Sequence, residues 1–431
     1  MKPSSIGECG VAGRGVAGRA GSKENFSLNA RGKCPTGLFN HLPAASAPKP
    51  QPLSLRHLAA DFYSQCDVSL RNVLVEEEPS APPPSTTRAV SPPKTAEIPR
   101  GRTRQSGQRA VGLKNAGQTC YINAVVQALY SVEDLRVELF KINVSKLAGA
   151  VDWTARETLA VKALVELQRV MALMAFSRLE TVDPAPLVQA MAAYGHGVVA
   201  PGAQGDASEF LLALLEVLEL AWRRIFGSAE FITQLFRGKA QSYLDIGLEA
   251  PLPSEAHPFG PLVLDVTQQS LERALDSCFS YAVEGVEHAG RRHAGTKTEW
   301  VVEPPRCLAL LLSRARGEAE PRKDNARFAF PSMLSLARYL PGSPEEPQGQ
   351  ADPAFDCPAE IPVVYTLQAM LLHAGTPHRG HFRALVRGQA EWTCFDDAAV
   401  SAKGLREGFE EGFGDGVSPA NACLLLYVLR P

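Results

Sequence analysis

Apolar residues recur at intervals of three and four along residues 119–141, 153–176 and 206–226. That is the period of an amphipathic helix, so each stretch is predicted helical. Past Phe231 the pattern changes to short apolar runs: Ala240–Leu248, Leu262–Val266, Cys307–Ser313, Val363–Leu372, Phe382–Val386 and Ala422–Leu429. Several are nearly continuous and bounded by Pro, Gly or charge, as buried strands are. Helices come first and strands later, with little strand–helix alternation, which argues for an α+β protein rather than a doubly wound sheet. Two polar insertions, 286–299 and 341–358, read as surface loops, and no internal repeat is visible.

The first hundred residues follow neither period. Residues 11–22 are aperiodic Gly, Ala, Val, Arg and Ser, and residues 79–99 hold seven prolines. Such composition buries too little apolar surface to offset the entropy of ordering a chain, so disordered or extended linker is expected. Within it, Leu53–Val75 places Leu58, Phe62 and Tyr63 at helical spacing and reads as a weak local helix. The division expected is thus 1–109 as an N-terminal extension and 110–431 as the folded unit.

Composition narrows the classes. The chain has 431 residues, 45% hydrophobic and 21% charged, with a net charge of −2. This near-neutral balance offers no argument for nucleic acid or an anionic membrane as partner. No apolar run reaches the length of a membrane helix and no secretory signal is apparent. The nine cysteines are widely spaced without a CxxC pair, which fits a reducing compartment and predicts neither a disulfide framework nor a zinc knuckle. A cytoplasmic or nuclear, monomeric protein without cofactor or metal is expected.

The densest motif is Gly112-Leu113-Lys114-Asn115-Ala116-Gly117-Gln118-Thr119-Cys120-Tyr121. Thr119 precedes the apolar run and is a natural N-cap, which places Cys120 in the first helical turn. The positive end of a helix favours a thiolate, and the glycines would leave the sulfur approachable. Asn115 is near enough to offer its amide to an oxyanion held at the sulfur. The plain reading of a lone cysteine at a helix start is a buried core residue. A nucleophilic thiol needs a histidine partner, and the chain offers His373, His378 and His381 in one cluster. Spacing does not select among them, although His381 opens a strand and is held on a rigid element.

The string GLxNxGxTCYxNxxxQxL, with His373-Ala374-Gly375, Gly380-His381-Phe382 and Trp392-Thr393-Cys394-Phe395-Asp396-Asp397, resembles the cysteine and histidine boxes of the ubiquitin-specific proteases. The resemblance covers about 112–429. It implies a papain-like fold with a helical thumb and a β-rich palm and fingers. It implies Cys120 as nucleophile, His381 as base, Asp396 as the acid orienting it, Asn115 at the oxyanion and Asp397 as a second acid nearby. Phe382 stands where the family usually has Tyr.

Gln204-Gly205-Asp206-Ala207-Ser208-Glu209-Phe210 is similar to that family's Gln-Gln-Asp-x-x-Glu-Phe box, with Gly205 replacing the second Gln. Its two acids would by themselves be read as complementing the helix dipole. The resemblance makes Gln204, Asp206 and Glu209, together with His373 and Gly380, substrate contacts, with Asp206 and Glu209 receiving an arginine-bearing tail. The zinc-binding cysteines that many members carry in the fingers are missing. The activity implied is hydrolysis after the C-terminal glycine of ubiquitin, with ubiquitin and ubiquitinated proteins as partners. A non-catalytic ubiquitin-binding module of the same fold, or a protease for another ubiquitin-like modifier, are the alternative readings.

Overall fold

A computed structural model describes residues 110–143, 153–195, 197, 199, 202–317, 321–342, 363–377 and 379–430. The expectations for 1–109, for His378 and for most of the 341–358 insertion lie outside these residues. Helices dominate the first half: α1 (Cys120–Tyr130), α2 (Glu133–Lys141), α3 (Ala155–Phe176), α4 (Ala185–Tyr194), α5 (Ala207–Phe226) and α6 (Glu230–Phe236). Among the described residues they are accompanied only by β1 (Gly112–Leu113), ahead of α1, and β2 (Thr181–Val182), a short parallel pair. Then follow β3 (Gly238–Asp245), β4 (Leu252–Pro253), β5 (His257–Phe259), β6 (Leu262–Asp265), α7 (Leu271–Phe279), β7 (Ser280–His288) and β8 (Arg291–Glu303). The chain closes with β9 (Cys307–Ser313), β10 (Ala315–Arg316), β11 (Arg322–Lys323), β12 (Met333–Ser335), β13 (Val364–Thr376) and β14 (Arg379–Arg387). After these come β15 (Glu391–Asp396), β16 (Ala399–Gly404), α8 (Leu405–Phe413) and β17 (Ala420–Leu429). The α+β class stands.

The larger sheet runs β16-β15-β14-β13-β17-β9-β6, with β12 added against β13. Its central strands are buried on both faces, which is why they read as continuous apolar runs. In β9, Cys307, Ala309 and Leu311 join the core shared with the thumb helices, while Leu308, Leu310 and Leu312 join the core on the opposite face. The same alternation divides Leu424 and Leu426 from Leu425 and Tyr427 in β17. The two-residue period of a strand thus builds two cores from one apolar run.

Local chemistry sets the helix ends. Thr154 and Glu157 form a reciprocal capping box at the start of α3. Asp206 caps α5 by accepting the Ser208 and Glu209 N–H groups at 2.7 and 3.1 Å. Gly227, at φ 77°, ends it. The stretch expected as one helix over 119–141 is two, because Ser131 and Val132 turn back onto Ala128 and Leu129 with tighter bonds of 3.1 and 3.0 Å. Helix α1 is buried from Cys120 to Leu129 rather than amphipathic. The Nε2 of its polar Gln127 donates to the Val111 carbonyl at 2.8 Å.

The polar insertion 286–299, expected as a loop, is instead most of the β7–β8 hairpin of a second, smaller sheet. Apolar alternation is absent there because both faces are largely open to solvent. The hairpin turns through Ala289 and Gly290, both with positive φ, as a tight two-residue turn requires. Glu299 joins three strands of this sheet, meeting Lys297 at 2.9 Å, His257 at 3.2 Å and the Tyr281 hydroxyl at 3.3 Å.

Candidate active site

The loop before α1 is pinned to the turn after β15. Leu113 N–H donates to the Asp397 carbonyl at 2.9 Å. Gly112 lies so close to that turn that a Cβ would sit 2.4 Å from the Ala398 carbonyl oxygen. Asn115 organises the loop itself: its Oδ1 accepts N–H groups of Gly117 at 3.0 Å and Thr119 at 3.2 Å. Its Nδ2 donates to the Asp397 carboxylate at 2.9 Å. Asn123 donates to the other Asp397 oxygen at 2.7 Å. Asp397, at φ 50°, therefore binds the cysteine-bearing loop and helix to the histidine-bearing sheet.

Two expectations about Cys120 need correction. Thr119 occupies the N-cap position but its side chain does not cap α1. Its hydroxyl instead accepts the Ala116 N–H at 2.9 Å and faces Asn115 Oδ1, so it holds the loop rather than the helix. The sulfur is also not open: Cys120 is 3% exposed. Burial pushes its thiol up from the ordinary value, with the Phe382 amide opposing this and the Asp397 charge adding to it. Desolvation outweighs the helix end.

Helix α1, which Cys120 begins, packs against β14, the strand that carries His381. The His381 ring meets Asp396 through Nε2 at 2.5 Å. A carboxylate only accepts, so Nε2 carries the proton and Nδ1 is the basic nitrogen. His381 Nε2 and the carboxylate oxygens of Asp396 and Asp397 lie within 4.8 Å of one another, as three metal ligands could. Asp397, however, receives amide N–H donors at both oxygens and Asp396 receives the ring. That donor pattern suits an oriented imidazole better than a cation.

The other expected residues fall at the same junction. His373 ends the buried part of β13 and is 8% exposed. Burial, with the Lys323 charge adding, lowers it to about 4, against the opposing pull of Asp206. Its ring packs on Phe382 in a tilted contact, 4.6 Å between centroids at 38°. Gln204 bonds Gly380 twice, accepting its N–H at 3.1 Å and donating to its carbonyl in a short hydrogen bond. Asp206 Oδ1 is the α5 cap, and Glu209 stands exposed on the same first turn.

Four participants were not singled out from sequence as site residues. Asn123 was visible only as a fixed position of the cysteine motif, three residues after Cys120, and the Phe382 amide has no side-chain signal. Tyr121 lies over Gly205, where a Cβ would stand 2.6 Å from its ring. Lys323 donates to the carbonyls of His373 and Pro419 at 2.6 and 2.5 Å.

Comparison with known proteins adds the following. Residues 111–427 match the sequence model of the family described as "Ubiquitin carboxyl-terminal hydrolase". "Ubiquitin carboxyl-terminal hydrolase 7" of Caenorhabditis elegans is 28% identical over 367 residues, 78% of this chain and 29% of its own length. The protein of the same name from Drosophila melanogaster is 27% identical, covering 74% of this chain and 27% of its own length. "Ubiquitin carboxyl-terminal hydrolase 5" of Schizosaccharomyces pombe is 28% identical, over 70% of this chain and 26% of its own length. The chain thus spans under a third of the length of these curated relatives.

Proposed function

Because the chain belongs to the ubiquitin carboxyl-terminal hydrolase family, we propose that it is a thiol-dependent deubiquitinase whose catalytic unit is 110–431. The observation that carries this reading is the Asp396–His381 pair at 2.5 Å, with His381 on the strand against which the helix begun by Cys120 packs. The substrate is the bond joining the C-terminal glycine of ubiquitin to a lysine amine.

The Cys120 thiol gives its proton to His381 Nδ1 and its sulfur attacks the glycine carbonyl. Since burial disfavours the thiolate in the free protein, His381 must take the proton as the substrate arrives. The tetrahedral oxyanion accepts the Cys120 N–H and the second Nδ2 hydrogen of Asn115, whose first is held by Asp397. The carbon–nitrogen bond breaks as His381 protonates the leaving amine, giving a thioester. Water then attacks the thioester, its proton passing to His381, and the thiolate departs.

Asp396 keeps Nε2 protonated and stabilises the imidazolium. Glu209 and the Oδ2 of Asp206, which the helix cap does not use, accept an arginine-bearing tail. The partners are ubiquitin and ubiquitinated proteins, in a reducing, cytoplasmic or nuclear setting. Among the described residues no helix is long and apolar enough to cross a membrane.

Turnover of a ubiquitin C-terminal amide tests the reading. Cys120→Ala is expected to abolish turnover and to keep ubiquitin binding. Binding without turnover by the unaltered protein would make it a non-catalytic module, and persistent turnover by Cys120→Ala would exclude Cys120 as nucleophile. Equal or greater reactivity toward another ubiquitin-like modifier would move the substrate assignment.

A further inference from the structure

We propose that Gln204 is a positioning residue that grips the backbone beside His381 from the thumb, and that Gln204, Gly380 and His373 form this grip rather than contact substrate. The inference rests on the reading of His381 as the base.

Strand β14 pairs with β13 along 379–386, but β15 covers its other edge only from Ala384 onward. Residues 379–383 therefore present a free edge. In an antiparallel pair, every second residue turns both its N–H and its C=O away from the partner strand. Gly380 is such a residue, and Gln204 meets both groups with its one amide. The side chain takes the place that a further strand would take. Phe382 is the next residue of the same alternation, and its strand packs against α1, the helix that Cys120 begins. The thumb thus docks along this open edge, and His381 directly follows the gripped Gly380.

The opposite side of Gly380 is closed. A Cβ there would lie 2.0 Å from His373 Nε2 and 2.6 Å from the Ala374 carbonyl oxygen. The His373 ring in turn packs, tilted, on Phe382, and Lys323 holds its carbonyl. Gly380 is thus held between an amide and an imidazole, which fixes the approach of the backbone to His381. The residue after Gln204 completes the link: Gly205 has only a hydrogen where the Tyr121 ring lies. One short loop therefore touches the neighbour of the base and the neighbour of the nucleophile. Both ends of its amide are engaged by Gly380, which leaves a substrate tail only the second Nε2 hydrogen.

The test uses the full chain with Gln204→Ala and Gln204→Glu. A misplaced base lowers kcat, whereas a lost tail contact raises KM. We expect kcat on a ubiquitin amide to fall roughly ten- to a hundred-fold, with KM changed less than about two-fold. Hydrogen exchange at Gly380 should quicken at least about ten-fold in Gln204→Ala, while α5 keeps its protection. Gln204→Glu keeps the size and the acceptor but sets a carboxylate oxygen against the Gly380 carbonyl, so its kcat should fall too. A raised KM with unchanged kcat, a wild-type-like Gln204→Glu, or unaltered Gly380 exchange would each overturn the proposal. Absence of turnover by the unaltered protein would instead overturn the deubiquitinase reading, and exchange at Gly380 would still decide whether the grip exists.

Discussion

At the scale of single residues the site is governed by which polar groups are already engaged. Cys120 begins a helix, yet its buried thiol is pushed up, not down. Alkylation of Cys120 by iodoacetamide in the free protein should therefore rise about ten-fold per pH unit from neutrality to pH 9. A rate already flat at pH 7 would mean a preformed thiolate. Asp397 has a different task from Asp396. Its two oxygens hold Asn115 and Asn123, so Asp397→Ala releases the proposed oxyanion donor. Its kcat should fall about a hundred-fold, with ubiquitin binding retained. Resemblance to the family's cysteine and histidine boxes put forward Cys120, Asn115, His381 and Asp396, whereas spacing alone did not select His381 among its neighbours. The roles of Asn123 and the Phe382 amide were not legible, because each depends on a partner distant in sequence.

At the scale of elements, burial decided what could be read. The β9 strand, Cys307–Ser313, matches the apolar run at both ends because both faces are buried. Helices α3 and α5 match within two residues, their starts marked by Thr154 and Asp206. The β7–β8 hairpin could not be read, since an exposed sheet needs no apolar alternation. Helix α5 also supports the site through Phe210, fully buried and edge-on to Tyr121 at 5.8 Å. Phe210→Ala should cost about 3–5 kcal/mol in denaturant unfolding and disturb the nucleophile helix first.

His373, at the end of β13, predicts an acid limb. Its ordinary value of 6.5 falls to about 4 in the fold. The unfolded chain therefore binds a proton that the folded one does not between those values. Its contribution is full above pH 6.5 and lost as pH falls toward 4. His373→Phe should lose about 2–3 kcal/mol less stability between pH 6.5 and 4, read by urea unfolding. An equal loss would place the acid sensitivity elsewhere.

Across the whole molecule, the thumb helices and the large sheet share one core, while α7 and α8 cover the other face of the same sheet. The proposed catalytic groups lie where the first core meets an uncovered strand edge, so three segments far apart in sequence converge there. The helical first half and stranded second half were legible as periodicity. The convergence was not, because no local pattern records that Gln204 meets Gly380 or that Asn115 meets Asp397. The chain spans under a third of its curated relatives' length, and the site-bearing elements lie within the matched 111–427.

The most direct measurement is intact and peptide mass spectrometry after incubation with ubiquitin carrying a C-terminal electrophile. The account predicts one adduct, on Cys120, that is absent in Cys120→Ala and slowed in Asp396→Ala. A folded protein that gains no adduct, or gains it on another cysteine, would contradict the assignment of Cys120 as the nucleophile.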